Sequence, residues 1–188
     1  KYPKTKITLI SLLSLIILLV AAVFWIRSII PSSTFHKDFT NSTPQDLVYL
    51  SQGVKEHRGN ILAVVTSTDV MGASGKGTGY ELTELARAYY VFNANGFEVD
   101  IASPEGGKPP VVLDDDDMGK FDYAFINDPV AQNKVDNSLA IADVDTSQYQ
   151  AVYFVGGKGA MFDFPDNAAI KSLVSNYYQS GKVIGAVC

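Results

Sequence analysis

ILAVVTSTDVMGASGKGTGYELTELARAYYVFNAN, Ile61 to Asn95, carries the reading on which the fold turns. Its first five residues, Ile61 to Val65, form an unbroken apolar run rich in β-branched side chains, the pattern of a strand covered on both faces. From Glu81 the period changes. Leu82, Leu85, Ala86 and Tyr89 recur at helical spacing, and Gly96 is placed to end the helix. The order is strand, loop, helix.

The same grammar continues towards the C-terminus. Phe97 to Ser103 alternates as a strand and stops at Pro104; the loop EGGKPPVVLDDDDMGK follows, and then a helical or irregular segment over Tyr123 to Ala142. Ala151 to Val155 reads as a second strongly apolar strand, ending in Gly156-Gly157-Lys158-Gly159. Asp166 or Asn167 is placed to cap a helix over Ala168 to Gln179, Gly181 to end it, and Val183 to Val187 to form a further short strand. Strands alternating with helices predict right-handed βαβ units, a parallel sheet and helices on both of its faces. No internal repeat interrupts the pattern.

Towards the N-terminus the composition changes. Ile7 to Ile26 holds no charged residue and is long enough as a helix to cross a hydrocarbon layer of roughly 30 Å. It exceeds the apolar region of a cleavable signal, and Ala21-Ala22 is followed by bulky Val23-Phe24-Trp25, so an uncleaved signal anchor is expected. Lys1, Lys4 and Lys6 precede the run and only Arg27 follows it closely, which predicts a cytoplasmic N-terminus and a globular part across the membrane. The expected organisation is a cytoplasmic stub and transmembrane anchor over residues 1–30, a linker or entry segment over 31–58, and an α/β domain over 59–188. Because the chain starts at Lys1 and stops inside a hydrophobic run, a fragment is expected.

Four of the 15 basic residues lie in residues 1–30 and none of the 20 acidic ones, so the remainder carries a net charge of −9. That disfavours nucleic-acid binding, which needs a basic face for phosphates. One cysteine allows no internal disulfide and leaves the redox compartment open.

In an open parallel sheet, ligands bind outside the carboxyl ends of the strands. The loop at 66–80, the turn at Gly156 to Gly159 and Cys188 all fall on that edge. The glycine-rich loop itself matches neither phosphate motif. Lys76 is followed by Gly77, Val70 stands five before Gly75, and the third position of a dinucleotide fingerprint holds Tyr80. Thr78 and Glu81 have capping-box spacing, which makes Glu81 structural. Glu84 lies off the apolar face of its helix, so periodicity alone favours a solvated carboxylate over a catalytic one. The run Asp114 to Asp117 lacks EF-hand spacing and reads as a solvated acidic loop. His36 and His57 have no metal-ligand spacing around them, and no metal or cofactor is expected. For Cys188, a buried structural thiol and a thiolate at a strand-to-helix turn, with its pKa lowered by the helix dipole, stand about even.

GGKGAMFDFPDN, Gly156 to Asn167, followed by KSLVSNYYQSGKVIGAVC, resembles the ThiJ/PfpI family, whose flavodoxin-like fold is shared with class I glutamine amidotransferases. TGYELTELARAYYVFNANGFEVDIASPEGGKPPV, Thr78 to Val111, is similar to the T-G-x-x-x-x-E-L and A-S-P-x-G-G-x-x-P segments of the branch that holds glyoxalase III and Hsp-type chaperone members. The likeness covers about residues 59–188. It implies a doubly wound parallel sheet truncated C-terminally, with Cys188 as nucleophile and Glu84 reaching over it. It further implies that backbone amides of Gly156 and Gly157 line the pocket as an oxyanion-type site. Where the family often has histidine after the two glycines, this chain has Lys158. The histidine expected directly after the cysteine, and a downstream acidic partner, would fall beyond residue 188. The implied activity is conversion of a small reactive carbonyl such as methylglyoxal to a hydroxy acid, without glutathione or metal, with a homodimer as the implied assembly. The rival implications are a chaperone or cysteine redox sensor, and a glutaminase-type amidotransferase domain.

Overall fold

The computed structural model describes residues 4–29 and 38–188. They divide into two units, an N-terminal one ending at Asp38 and a second over Phe39–Cys188.

The first unit contains helix α1, Lys4–Ile29. The expectation of a transmembrane span here is not supported. Among the described residues no helix is long and apolar enough to cross a membrane. His36 lies outside the described residues.

In the second unit, residues expected as a tether are part of the packed domain. Leu47, just before the short helix α2 (Val48–Ser51), is buried in the core, and Val54 and Arg58 donate backbone hydrogen bonds to Ala94 and Gly96. The main sheet is built from β1 (Gly59–Val64), β3 (Phe97–Ser103), β5 (Leu139–Ala140), β6 (Tyr149–Phe154) and β7 (Val183–Ala186). Its order is β5-β3-β1-β6-β7, with every pair parallel. A two-residue strand β2 (Tyr80–Glu81) pairs with β4 (Val111–Val112) outside it, an element too short for the sequence pattern to signal.

Alternation along β1 explains the two-sided apolar run. Ala63 faces one core with α3 (Leu82–Ala94) and α4 (Lys120–Ile126), among Leu85, Tyr89, Val99, Ile101 and Phe125. Leu62 and Val64 face the other, with Val152, Phe154, Ile170, Leu173 and Tyr177, the last three from α7 (Ala168–Ser180). The segment expected as helical or irregular resolves into α4, α5 (Pro129–Asp136) and β5. Asp128 caps α5 by accepting from the amides of Val130 and Ala131. Asn167, not Asp166, caps α7 through the amide of Ile170, and Gly181 in the left-handed conformation ends it.

The chain runs outward from β1 through β3 to β5, then returns to the opposite side of β1 with β6 and β7. The reversal lies between β1 and β6. In such sheets the crevice at that reversal, outside the carboxyl ends of the strands, is where ligands bind.

Candidate active site

Three strand ends and one helix start meet at the reversal. β1 delivers Thr66, Ser67 and Thr68, held by Asp163 of the short helix α6 (Ala160–Asp163). Asp163 Oδ2 accepts from Thr66 Oγ1 at 2.7 Å and from the amides of Ser67 and Thr68 at 2.7 and 3.2 Å. β6 delivers Gly156 and Gly157. β7 delivers Val187, whose amide still donates to Phe154 O at 3.2 Å, and then Cys188, which is exposed.

The first turn of α3 grips the glycine turn from two sides. Glu84 Oε2 accepts from the Gly156 amide at 2.8 Å, and the Glu81 amide donates to Gly156 O at 3.0 Å. Only glycine fits at these two positions. A Cβ on Gly156 would stand 2.4 Å from Glu84 Oε2, 2.7 Å from Val187 O and 2.9 Å from Cys188 Cα. At Gly157, with φ +113°, a Cβ would meet Gly79 O at 2.4 Å. Glu84, the glycine turn and the Cys188 backbone are thus in direct apposition.

A cavity of about 450 Å³ opens here, lined by Glu81, Glu84, Asp114, Gly157, Lys158 and Cys188 among others. The solvated reading of Glu84 is therefore corrected. A helical wheel ranks a side chain only against its own helix, and the groups that claim Glu84 come from the end of β6. Tyr153 adds to them, its hydroxyl donating to Glu84 O at 3.0 Å. Burial, then the Glu84 charge, pushes its pKa up to about 12, so it remains a donor at neutral pH.

The two glycine amides expected as an oxyanion-type pair differ in use. Gly156 N–H is occupied by Glu84, while the Gly157 amide enters none of the backbone hydrogen bonds of the turn and its residue lines the cavity. Glu81 also departs from expectation. It occupies the N-cap position itself, makes no side-chain cap bond, and so forms no capping box with Thr78. Its Oε1 is buried without a hydrogen-bond partner. Burial, then the charges of Glu84, Asp114 and Asp117, raise its pKa, opposed by Lys158. The acidic loop is exposed at all four aspartates, as expected, with Asp117 pairing with Arg87 at 3.1 Å and Asp114 lining the cavity. Among the described residues no cluster of histidine, cysteine and carboxylate side chains is arranged to hold a metal ion.

The model of the DJ-1/PfpI family matches residues 76–188, which takes in Glu84, both glycines and Cys188. The chain belongs to the DJ-1/PfpI family. Among curated members, a probable glutathione-independent glyoxalase of Saccharomyces cerevisiae, SNO4, is 30% identical over 123 residues, covering 61% of this chain and 50% of that protein. Glyoxalase 3 of Candida albicans is 27% identical over 135 residues, covering 68% and 56%. Among solved structures, the Rapid Encystment Protein 24 kDa of Francisella tularensis superposes with a TM-score of 0.64 at 39% identity, over 69% of this chain and 58% of that one. Glyoxalase III of Candida albicans superposes with a TM-score of 0.59 at 25% identity, over 71% and 58%. The chain spans about half the length of the curated DJ-1/PfpI relatives it matches.

Proposed function

We propose that this protein is a glutathione-independent glyoxalase that converts methylglyoxal, or a closely related 2-oxoaldehyde, to the corresponding 2-hydroxy acid. The observation that carries the reading is the apposition of Glu84, the Gly156-Gly157 turn and Cys188 around one cavity at the sheet reversal. Curated relatives bearing the glyoxalase name support it.

The chemistry follows from the two reactive groups. The Cys188 thiolate adds to the aldehyde carbon, giving a hemithioacetal. Glu84 has one oxygen anchored by the Gly156 amide and uses the other to remove the proton from that carbon and return it to the neighbouring one. The shift passes through an enediol and leaves a thioester of the hydroxy acid. Water then hydrolyses the thioester, releasing the acid and regenerating the thiol. The Gly157 amide, which enters none of the turn's backbone hydrogen bonds, then donates to the developing oxyanion.

Methylglyoxal consumption without glutathione, measured on the whole protein, tests this. Cys188→Ala and Glu84→Gln are each expected to lower kcat/KM by at least about 100-fold, as loss of a nucleophile or of a general acid-base group does. Turnover that survives Cys188→Ala sinks the mechanism. A single thiol beside Glu84 in the cavity supports one second reading, an oxidisable sensor on the same fold. Ready peroxide oxidation of the thiol with no dicarbonyl turnover selects it.

The proposal extends to location and assembly. The stretch Ile7–Ile26 carries no charge, and its large apolar side chains among Leu12 to Ile26 are exposed, which supports attachment to a membrane with the lysines on the cytoplasmic side. A reporter fused after Cys188 that works only in the cytoplasm rejects that orientation. A second copy of the chain is the proposed partner, read by sedimentation of the whole protein.

A further inference from the structure

We infer that Glu81 is a specificity-determining residue, whose carboxylate in the Cys188 cavity selects neutral or cationic carbonyl compounds against anionic ones. The inference names the substrate class of the proposed site, and it rests on that reading only in taking Cys188 as the point of attack.

The geometry isolates Glu81 from any structural duty for its side chain. Its backbone is committed, since the amide donates to Gly156 O and the residue stands at the N-cap of α3. Its side chain makes no cap bond, and Oε1 is buried with no partner. A buried carboxylate oxygen without a donor is costly unless something else uses it. Glu81 itself lines the cavity that Glu84, Asp114, Lys158 and Cys188 share, with that oxygen shielded behind its surface.

The charges around Glu81 make the selection one-sided. Glu84 comes from its own helix, Asp114 and Asp117 from the loop after β4, and Lys158 from the glycine turn. Of the groups lining the cavity, three are carboxyls and one is an ammonium. Lys158 is exposed, so its field is better screened by water than that of the half-buried Glu81. A substrate carrying its own carboxylate, such as an oxo acid, meets like charge beside the thiol. A neutral 2-oxoaldehyde does not, and one bearing an ammonium or guanidinium group gains a partner in Glu81.

The test reads the field at Cys188 directly. Two methanethiosulfonate reagents of similar size, one carrying trimethylammonium and the other sulfonate, each form a mixed disulfide with the thiolate and release methanesulfinate. Their rate ratio on Cys188, divided by the ratio on free glutathione, cancels the thiol's own ionisation. The whole wild-type protein is expected to favour the cationic reagent, and Glu81→Gln to cut that preference by about threefold or more, as removal of one nearby charge in a water-filled cavity does. Glu81→Ala serves as a second variant, because the side chain supports no described hydrogen bond. A ratio unchanged in both variants overturns the inference. The methylglyoxal assay is separate: a ratio that moves without turnover keeps the charge selection and rejects the glyoxalase, while turnover with an unmoved ratio does the reverse.

Discussion

Gly156 concentrates most of the site's constraints in one position without a side chain. Its amide holds Glu84, its carbonyl holds the start of α3, and the space a Cβ would need is filled by Glu84 Oε2, Val187 O and the Cys188 backbone. Two of those three obstacles are main chain, which cannot step aside as a side-chain tip can. Gly156→Ala is therefore expected to cost about 1–3 kcal/mol in stability, the usual penalty of forced overpacking. It should also shift Cys188 away from Glu84. Thermal melts read the first effect, and methylglyoxal turnover compared with the rate of simple thiol labelling reads the second. Turnover falling much further than labelling is the expected signature. Glu81 gives a contrasting prediction about stability and pH. Because its pKa is raised in the folded protein, chiefly by burial, the native state holds the proton more tightly than the unfolded chain does. Stability is then highest below the ordinary carboxylate range and falls as pH rises through the raised value. Glu81→Gln cannot ionise, so it is expected to melt above wild type at pH 7 and to lose that advantage at about pH 4 and below. A melting difference that stays constant across that range argues against the raised pKa. Cys188 and Glu84 were singled out by resemblance to a family motif, and the fold brings both to one cavity. Glu81 was not, since Thr78 three residues earlier offers a plausible capping box that the fold does not build.

At the scale of elements, ends and ties decide more than interiors. Asn167 closes the start of α7 by accepting from the Ile170 amide at 3.1 Å, and Ile170 in turn is buried against β6. Asn167→Ala is expected to cost about 1 kcal/mol, the typical loss of an N-cap, and to leave the site untouched, since α7 contributes nothing to its lining. The tie between α3 and α4 is stronger. Asp122 is fully buried and accepts from Arg87 at 3.0 Å and from the Gly119 amide at 2.8 Å, while Arg87 is partly exposed and also pairs with Asp117. Asp122→Ala strips charge-assisted bonds from a guanidinium that water can still reach. A cost of about 2–3 kcal/mol is expected in denaturant unfolding, less than for a wholly buried pair. The strands β1 and β3 and the helices α3 and α7 were all readable from periodicity, because each buries a regular face. β2, β4 and β5 were not: two-residue strands leave no periodic trace, and their pairing is fixed by Pro110 O, Ser103 and Ala102 from elsewhere in the chain. The Arg87–Asp122 tie spans 35 positions, beyond the reach of any local pattern.

At the largest scale, the second unit is a sheet with two cores that are not equally closed. On the side of α3 and α4, Leu85, Ala86 and Phe125 are wholly shielded. On the other side, β7 forms an edge of the sheet, and a hollow of about 660 Å³ lies between it and α7, lined by Phe154, Phe164, Ile170, Val174, Tyr178 and Ile184. Val183 is 65% exposed and Tyr178 82%, so the edge offers unpaired backbone and apolar side chains together. That combination templates strand addition and association between copies. The 188-residue chain is therefore expected to self-associate through β7, and Ile184→Lys to weaken it, since a lysine on an edge strand must keep its charge in water. Ile184 is 37% exposed and partly packed, so circular dichroism on the variant reads whether the fold survives the substitution. Light scattering across a concentration series measures the association. If the lysine variant folds yet scatters like wild type, the contact between copies lies elsewhere, and the open side of the second core is not what drives it. If scattering falls, the hollow between β7 and α7 is the contact between copies of the 188-residue chain.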